Sequence, residues 1–251
     1  MVNFVKMNGA GNDFVIIDTR GKSNVKNIKF NHEIISRICD RSNVGCDQLI
    51  MLKDSISADI LMEIYNSDGS ISGACGNATR CVAALLMAEK ECDEVNIKTE
   101  AGILRTWKKD GLIAVNMGKP KFLWNEIPLL TEQNTEDFVV DGFEEYPLSA
   151  VNMGNPHIII FIDRDLSDEE FTSRGSALET NDLFPEKTNV EFAKIISKNH
   201  IEVRVWERGA GETLACGSGA CSVAVAAIRN NLIKREEVKI SFKGGDLFID
   251  W

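Results

Sequence analysis

Basic residues are the minority charge in this 251-residue chain, with 28 Lys+Arg against 38 Asp+Glu and a formal charge of −10. A phosphate-backbone binder carries a basic stripe, so no nucleic-acid partner is expected. Long apolar runs are also missing. The longest, Cys81–Ala88, falls far short of the roughly 20 residues a membrane-spanning helix needs, and no membrane partner is expected. No N-terminal stretch joins a basic head to an apolar segment and a small-residue cleavage site, which predicts a cytoplasmic protein. What is present, 44% hydrophobic and 26% charged residues, is the balance of a globular chain. It is long enough to bury a core as one large domain or as two of about 120 residues.

Cys-x-x-Cys is absent as well, although cysteine is not scarce: Cys39, Cys46, Cys75, Cys81, Cys92, Cys216 and Cys221. An odd number without a secretion signal does not suggest a disulfide framework, and the missing motif weakens zinc and thioredoxin-type readings. Most of the seven are expected to pack as small apolar side chains.

Two of them stand out because the chain repeats itself. Residues 74–77 read Ala-Cys-Gly-Asn and residues 215–218 read Ala-Cys-Gly-Ser, an offset of 141. Each motif is followed by a second cysteine, Cys81 or Cys221, and an apolar run rich in alanine and valine. The same offset pairs Ile64-Tyr65-Asn66 with Val205-Trp206-Glu207 and lays Gln48 opposite Asn189. Gly11-Asn12 and Gly154-Asn155 each precede a strand-like run, at the slightly different offset of 143. Self-similarity on this scale predicts two homologous halves, 1–117 and 118–251, each carrying one of the two cysteines.

β-Branched runs predict strands at Phe14–Asp18, Ile60–Tyr65, Val95–Thr99, Ile201–Trp206 and Val238–Phe242, punctuated by turn pairs such as Asp68-Gly69 and Gly244-Gly245. Helices are predicted from Cys75 to about Glu91 and from Cys216 to about Asn230, with a shorter amphipathic one at His32–Cys39. The two longer helices lack a polar face through Cys81–Ala88 and Val223–Ile228. A helix that is apolar all round should be buried all round. The expected fold class is therefore α+β: two pseudo-symmetric domains, each a curled, mostly antiparallel sheet wrapped around a central helix.

Cys75 and Cys216 fall where a small-residue turn enters a helix. There, unpaired N–H groups and the helix dipole can lower a thiol from about 8.5 towards roughly 3.5–7.5 and can hold a carboxylate. Gly76 and Gly217 leave room for close approach to that backbone. If the pseudo-symmetry faces the two helix starts across an interdomain cleft, one anion meets a thiol on either side. Inversion of an acidic carbon needs that arrangement, with one group removing a proton while the other supplies one to the opposite face. No metal or pyridoxal motif is apparent, so carbanion stabilisation falls to the helix-terminal dipoles.

Longer stretches identify a resemblance. They are Lys6-Met7-Asn8-Gly9-Ala10-Gly11-Asn12-Asp13-Phe14, Cys46-Asp47-Gln48, Tyr65-Asn66-Ser67-Asp68-Gly69 and Ala74–Cys81 in the first half. The second half adds Met153-Gly154-Asn155-Pro156-His157, Thr188-Asn189-Val190 and Glu207–Thr213 running into Ala215–Gly219. Over nearly its whole length the chain resembles diaminopimelate epimerases, cofactor-independent amino-acid isomerases of lysine and peptidoglycan precursor biosynthesis. The resemblance implies Cys75 and Cys216 as the acid/base thiols, with Gly76, Asn77, Gly217 and Ser218 holding the reacting carboxylate. It places Asn12, Gln48, Asn66, Asn155, Asn189, Glu207 and Arg208 around diaminopimelate, with His157 and Glu207 adjusting the thiols' protonation. Arg208 would grip the distal carboxylate through two parallel hydrogen bonds. A substrate without that carboxylate would leave a buried guanidinium unpaired, at a cost of several kcal/mol. The resemblance also implies no cofactor, no metal and a possible homodimer. Family members usually continue past Gly-Gly-Asp-Leu-x-Ile-x-Trp with a strand that returns to the first domain, whereas this sequence ends at Trp251. Two alternatives are a racemase for proline, hydroxyproline or histidine, and a thiol-redox or metal-binding protein.

Overall fold

The computed structural model describes residues 2–21 and 30–251. The chain divides into two compact units, Met1–Met117 and Gly118–Trp251.

In the first unit the apolar alternation of the sequence becomes a mixed sheet. Its strands are β1 (Val5–Gly9), β2 (Asn12–Asp18), β3 (Gln48–Lys53), β4 (Ile60–Asn66), β5 (Ile71–Ser72), β6 (Glu94–Thr99), β7 (Gly102–Lys109) and β8 (Leu112–Val115). The order is β1-β2-β3-β4-β6-β7-β8, with β5 paired to β4. The β2–β3 and β4–β6 pairs are parallel and the rest antiparallel. Helix α1 (His32–Cys39) carries the crossover from β2 to β3, and α2 (Gly76–Glu89) follows β5. Strand residues point alternately to the two faces, and β2 uses both. Phe14 and Ile16 join Val82, Leu86 and Met87 of α2 in one buried cluster. Val15 and Ile17 join Ile35 and Cys39 of α1 in another. Because α2 touches β1 and β8, the two ends of the strand order, as well as β6 and β7, the sheet is curled around it. At the N-terminus of α1 the Asn31 side chain accepts from the Ile34 N–H at 2.9 Å, a cap worth about 1 kcal/mol.

The second unit repeats this plan. Its strands are β9 (Leu148–Asn152), β10 (Pro156–Phe161), β11 (Asn189–Ser197), β12 (His200–Glu207), β13 (Gly211–Thr213), β14 (Val238–Phe242) and β15 (Gly245–Ile249). They run β15-β14-β12-β11-β10-β9, with β13 paired to β12. The parallel pairs are again the second with the third strand (β10–β11) and the fourth with the strand after the buried helix (β12–β14). Helix α3 (Asp168–Glu179) makes the first crossover, and α4 (Gly217–Arg229) touches β9, β10, β11, β14 and β15. The register fixes the equivalence: Phe14 lies opposite Gln48, and His157 lies opposite Asn189.

The predicted strands and helices therefore appear where the sequence put them, with Cys75 and Cys216 as caps rather than first helical residues. One expectation needs correcting. Helix α2 is not buried on every side, because Arg80, Ala84 and Leu85 are half-buried and Ala88 is exposed along one stripe. Helix α4 comes closer, with Ser222–Ala227 all buried.

Candidate active site

Each helix start is built the same way. A short strand, β5 or β13, ends and a cysteine in extended conformation caps the helix, Cys75 at φ −147°, ψ 109° and Cys216 at φ −126°, ψ 118°. The surroundings then diverge.

Cys75 is half-buried and packs in part against the apolar core of its unit. Its thiol lies 3.8 Å from Asn12 Oδ1, and Asn12 Nδ2 donates to Asp47 at 2.8 Å. Asp47 is itself held by Arg41 at 2.6 Å. Across β3 and β4, Gln48 Nε2 donates to Asn66 Oδ1 at 3.0 Å, while Asn66 Nδ2 donates to Ser70 at 3.0 Å. Gln48 Oε1 is buried without a hydrogen-bond partner among the described residues. Asn77, in the first turn of α2, is buried and accepts from Arg80 at 2.6 Å.

Around Cys216 the neighbours are charged. The thiol is 7% exposed. It accepts from the Gly219 N–H at 3.4 Å and lies 3.5 Å from Ser218 Oγ. His157 and Glu191, both fully buried, meet through Nδ1 and Oε1 at 2.6 Å, and His157 Nε2 lies 3.0 Å from Asn155 Oδ1. Glu191 Oε2 has no partner among the described residues. One donor atom from each of His157, Glu191 and Cys216 falls within 4.8 Å of the others. These donor types would suit zinc. His157 Nδ1 and Glu191 Oε1 are engaged with each other at 2.6 Å, a hydrogen-bond distance.

Burial pushes the Cys216 thiol well above its usual value. The Glu207 and Glu191 carboxylates push the same way and outweigh the Ser218 and Gly219 hydrogen bonds. The lowered thiol expected from the helix terminus is thus overturned at Cys216, because desolvation and two acids dominate the dipole. Glu207 is raised by desolvation, opposed mainly by the Thr213 hydroxyl that donates to it at 2.5 Å.

The family model for diaminopimelate epimerase matches residues 4–123 and 149–251. The diaminopimelate epimerase of Pelagibacter ubique is 45% identical over 250 residues, covering 97% of this chain and 89% of that protein. That of Sphingopyxis alaskensis is 45% identical over 249 residues, covering 99% and 89%. The chain belongs to the diaminopimelate epimerase family. Among solved structures it resembles the Bacillus anthracis phenazine biosynthesis protein of the PhzF family, with TM-score 0.65, 17% identity, and 98% and 89% of the two chains covered. A probable proline racemase from Agrobacterium radiobacter K84 superposes with TM-score 0.64 at 13% identity, over 100% and 84% of the chains. These two likenesses show the shared fold alone.

Within the first unit the structure gathers Asn12, Cys75, Gly76 and Asn77 about one helix start, with Gln48 and Asn66 paired on neighbouring strands. Within the second it gathers Asn155, His157, Glu207, Cys216, Gly217 and Ser218. Asn189 is buried and spends both ends of its amide on backbone, donating to Pro156 O at 2.8 Å and accepting from Arg208 N at 3.0 Å. Arg208 is exposed, and its Nη1 donates to the Glu186 carbonyl at 3.0 Å. The buried guanidinium expected there is therefore not found, and the penalty argued from it does not apply to the chain in this form. Sequence reasoning missed Glu191. The repeat offset held the signal, since 141 residues earlier stands Ile50, a core residue at 0% exposure. A glutamate at a core position of an apolar strand is the departure that marks it.

No helix among the described residues is long and apolar enough to cross a membrane. A groove of about 380 Å³ on this unit is lined by Asp165, Lys194, Glu202, Arg204 and Lys243. Several of these charges are paired already, Lys194 with Asp165 and both Arg204 and Lys243 with Glu212.

Proposed function

We propose that this chain interconverts LL- and meso-diaminopimelate by removing the α-proton with one cysteine and returning a proton to the opposite face with the other. The observation that carries the reading is the duplication itself, a cysteine capping the buried helix at the equivalent place in each half of a chain of this family. Inversion wants two chemically similar groups, one on each face of one carbon, and their roles exchange in the reverse reaction. Cys75 and Cys216 take those places. Cys216 enters as the thiol, because its surroundings hold the proton on sulfur.

The first-turn N–H groups at Gly76-Asn77 and Gly217-Ser218 receive the α-carboxylate and take up the charge that develops as the α-proton leaves. That stabilisation stands in for a cofactor. Asn12, Gln48, Asn66, Asn155 and Asn189 line the substrate, and Gln48 Oε1 offers it an acceptor that has no partner among the described residues. Arg208, accessible at the surface, binds the distal carboxylate, while Glu207 takes the distal ammonium. His157 and Glu207 tune the thiols. The enzyme is cytoplasmic and forms a homodimer.

Proton NMR of LL-diaminopimelate in deuterated water with the reduced protein tests this, with proline and histidine as controls. Loss of the α-proton signal and appearance of the meso isomer, for diaminopimelate only, is the expected result. Exchange on proline or histidine instead would keep the two-thiol chemistry and discard the substrate. Cys75→Ala and Cys216→Ala should each abolish isomer formation. Normal turnover by either removes that cysteine from the mechanism.

A further inference from the structure

Arg208 rides on a tight turn between β12 and β13, in which the Ala210 N–H donates to the Glu207 carbonyl at 3.0 Å and Gly209 takes φ +76°. Two consecutive N–H groups of this turn are taken by side chains from elsewhere in the second unit. Asn189 Oδ1 accepts from the Arg208 N–H at 3.0 Å, and Glu179 Oε1 accepts from the Gly209 N–H at 2.9 Å. Glu179 is the last residue of α3 and is 7% exposed. That is a poor place for a carboxylate twice over, because burial strips its water and a helix C-terminus carries partial negative charge. What it gains there is a set of donors. Oε1 takes the Gly209 N–H and faces Lys187 Nζ at 3.8 Å, and Oε2 takes the Trp206 indole N–H at 2.7 Å. Indole and peptide N–H groups can only donate, so both oxygens of the side chain must accept, which a carboxylate does and an amide cannot. Trp206 and Gly209 flank Glu207-Arg208 in the chain, so one buried group grips the backbone before and after that pair.

We infer that Glu179 is a positioning residue for the distal end of the substrate. By holding the Gly209 N–H it fixes the turn that carries Arg208, and so sets the direction in which the guanidinium is presented. The inference rests on the reading of Arg208 as the partner of the distal carboxylate, and it adds a residue that acts from behind the turn. The guanidinium itself is exposed, with Nη1 on the Glu186 carbonyl at 3.0 Å, so its aim depends on the backbone it hangs from. A side chain aimed in advance gives up less freedom when the substrate binds. The distal carboxylate is also held alike before and during proton transfer at the other end of the molecule. A weaker grip there falls on KM and spares kcat.

The test sets Glu179→Met, which keeps the length and removes both acceptors, beside Trp206→Phe, which removes the indole donor and leaves the Gly209 N–H held. Kinetics of isomer formation from LL-diaminopimelate should show KM about tenfold higher in Glu179→Met, the scale of one charge-assisted hydrogen bond, with kcat within about twofold. Trp206→Phe should change KM by less than about twofold. A fall in kcat at unchanged KM marks a merely structural role, and an equal rise in KM for Trp206→Phe assigns the effect to packing of α3; either overturns the inference. In an Arg208→Ala background Glu179→Met should raise KM no further, and a full additional rise would show that Glu179 does not act through Arg208. Glu179→Gln serves if the Met variant does not fold. With one oxygen between two donors it should raise KM by less, and an unmoved KM counts against the inference equally. Amide hydrogen exchange supplies a readout that needs no substrate: the Gly209 N–H should exchange about tenfold faster in Glu179→Met than in the parent, while the amides of β12 keep their protection. A parent chain that turns over no diaminopimelate would sink the proposed function, and exchange would still decide whether Glu179 holds the turn, an unchanged Gly209 rate overturning the inference by itself.

Discussion

Gly219→Ala sets two effects of known size against each other at the Cys216 helix start. Gly219 is the third residue of α4. Replacing a helical glycine by alanine stabilises by up to about 1 kcal/mol. The added methyl, however, would stand 2.6 Å from Glu191 Oε1 and 3.2 Å from the Cys216 Cβ. A carboxylate at the end of a flexible side chain usually swings aside at little cost. This one is fully buried and bonded to His157 at 2.6 Å, so it moves only by losing that bond. A charge-assisted hydrogen bond contributes about 1.5–3 kcal/mol, and breaking a buried pair outright costs about 3–5 kcal/mol. The balance is a net loss of about 2 kcal/mol in the second unit. For a unit of this size that lowers the midpoint of its thermal transition by roughly 6–10 °C. Scanning calorimetry of the two proteins side by side measures it. A variant that melts at or above the parent temperature would show that Glu191 relaxes freely, and the argument for a fixed His157–Glu191 pair would fail.

Two further outcomes follow from packing and charge. Gly175 on α3 faces Trp206, whose Cβ and Cγ would lie 2.9 Å from an added methyl. Gly175→Ala should therefore destabilise by about 1–3 kcal/mol through overpacking and perturb the Trp206–Glu179 bond of 2.7 Å, seen as a lower melting temperature and a change in tryptophan emission; a higher melting temperature would refute the contact. At Asp13, burial opposes ionisation, but the Arg41 guanidinium, at 2.7 and 2.8 Å, and Asp47 outweigh it and hold the carboxyl at about 2. Its folded value lies below the unfolded one of about 3.9, so its stabilisation is present above that pH and is lost as the pH falls towards 2. Because Arg41 is largely exposed, solvent screening leaves a contribution of about 1 kcal/mol. Urea titrations should show Asp13→Asn weaker than the parent by that amount at pH 7 and the two converging below about pH 4, whereas a difference that ignores pH would contradict the ion pair.

Most of the architecture was legible because the chain states it twice. The offset of 141 residues ties Gln48 to Asn189 in sequence, and the structure returns them as the first residues of β3 and β11. Helix α1 was legible from its amphipathic spacing. Helix α3 was not, since its apolar residues Phe171 and Leu178 are too sparse to set a period. Its start is nonetheless written in Ser167 and Glu170, which form a reciprocal cap. The place of Cys75 and Cys216 at two helix starts could be read from the repeated Ala-Cys-Gly motif. The raised thiol of Cys216 could not, because it comes first from burial and then from Glu207 and Glu191, and Glu191 is brought there by sheet register and not by any local motif. The exposure of Arg208 was likewise invisible, because a motif names a residue type and says nothing of what covers it.

The pairing of unlike residues at like positions has a consequence for covalent inhibitors. Phe14 and Ile50 keep the first unit's inner strands apolar, whereas His157 and Glu191 occupy the matching places in the second. An electrophile aimed at this enzyme therefore meets two different targets. Cys75 is half-buried beside the Asn12 amide, and Cys216 is shut away where burial and two acids raise its thiol. Warheads that depend on open approach should mark Cys75 first. Selectivity for Cys216 calls for a compound that brings its own cation to the carboxylates, so that the drug itself supplies the charge that frees the sulfur.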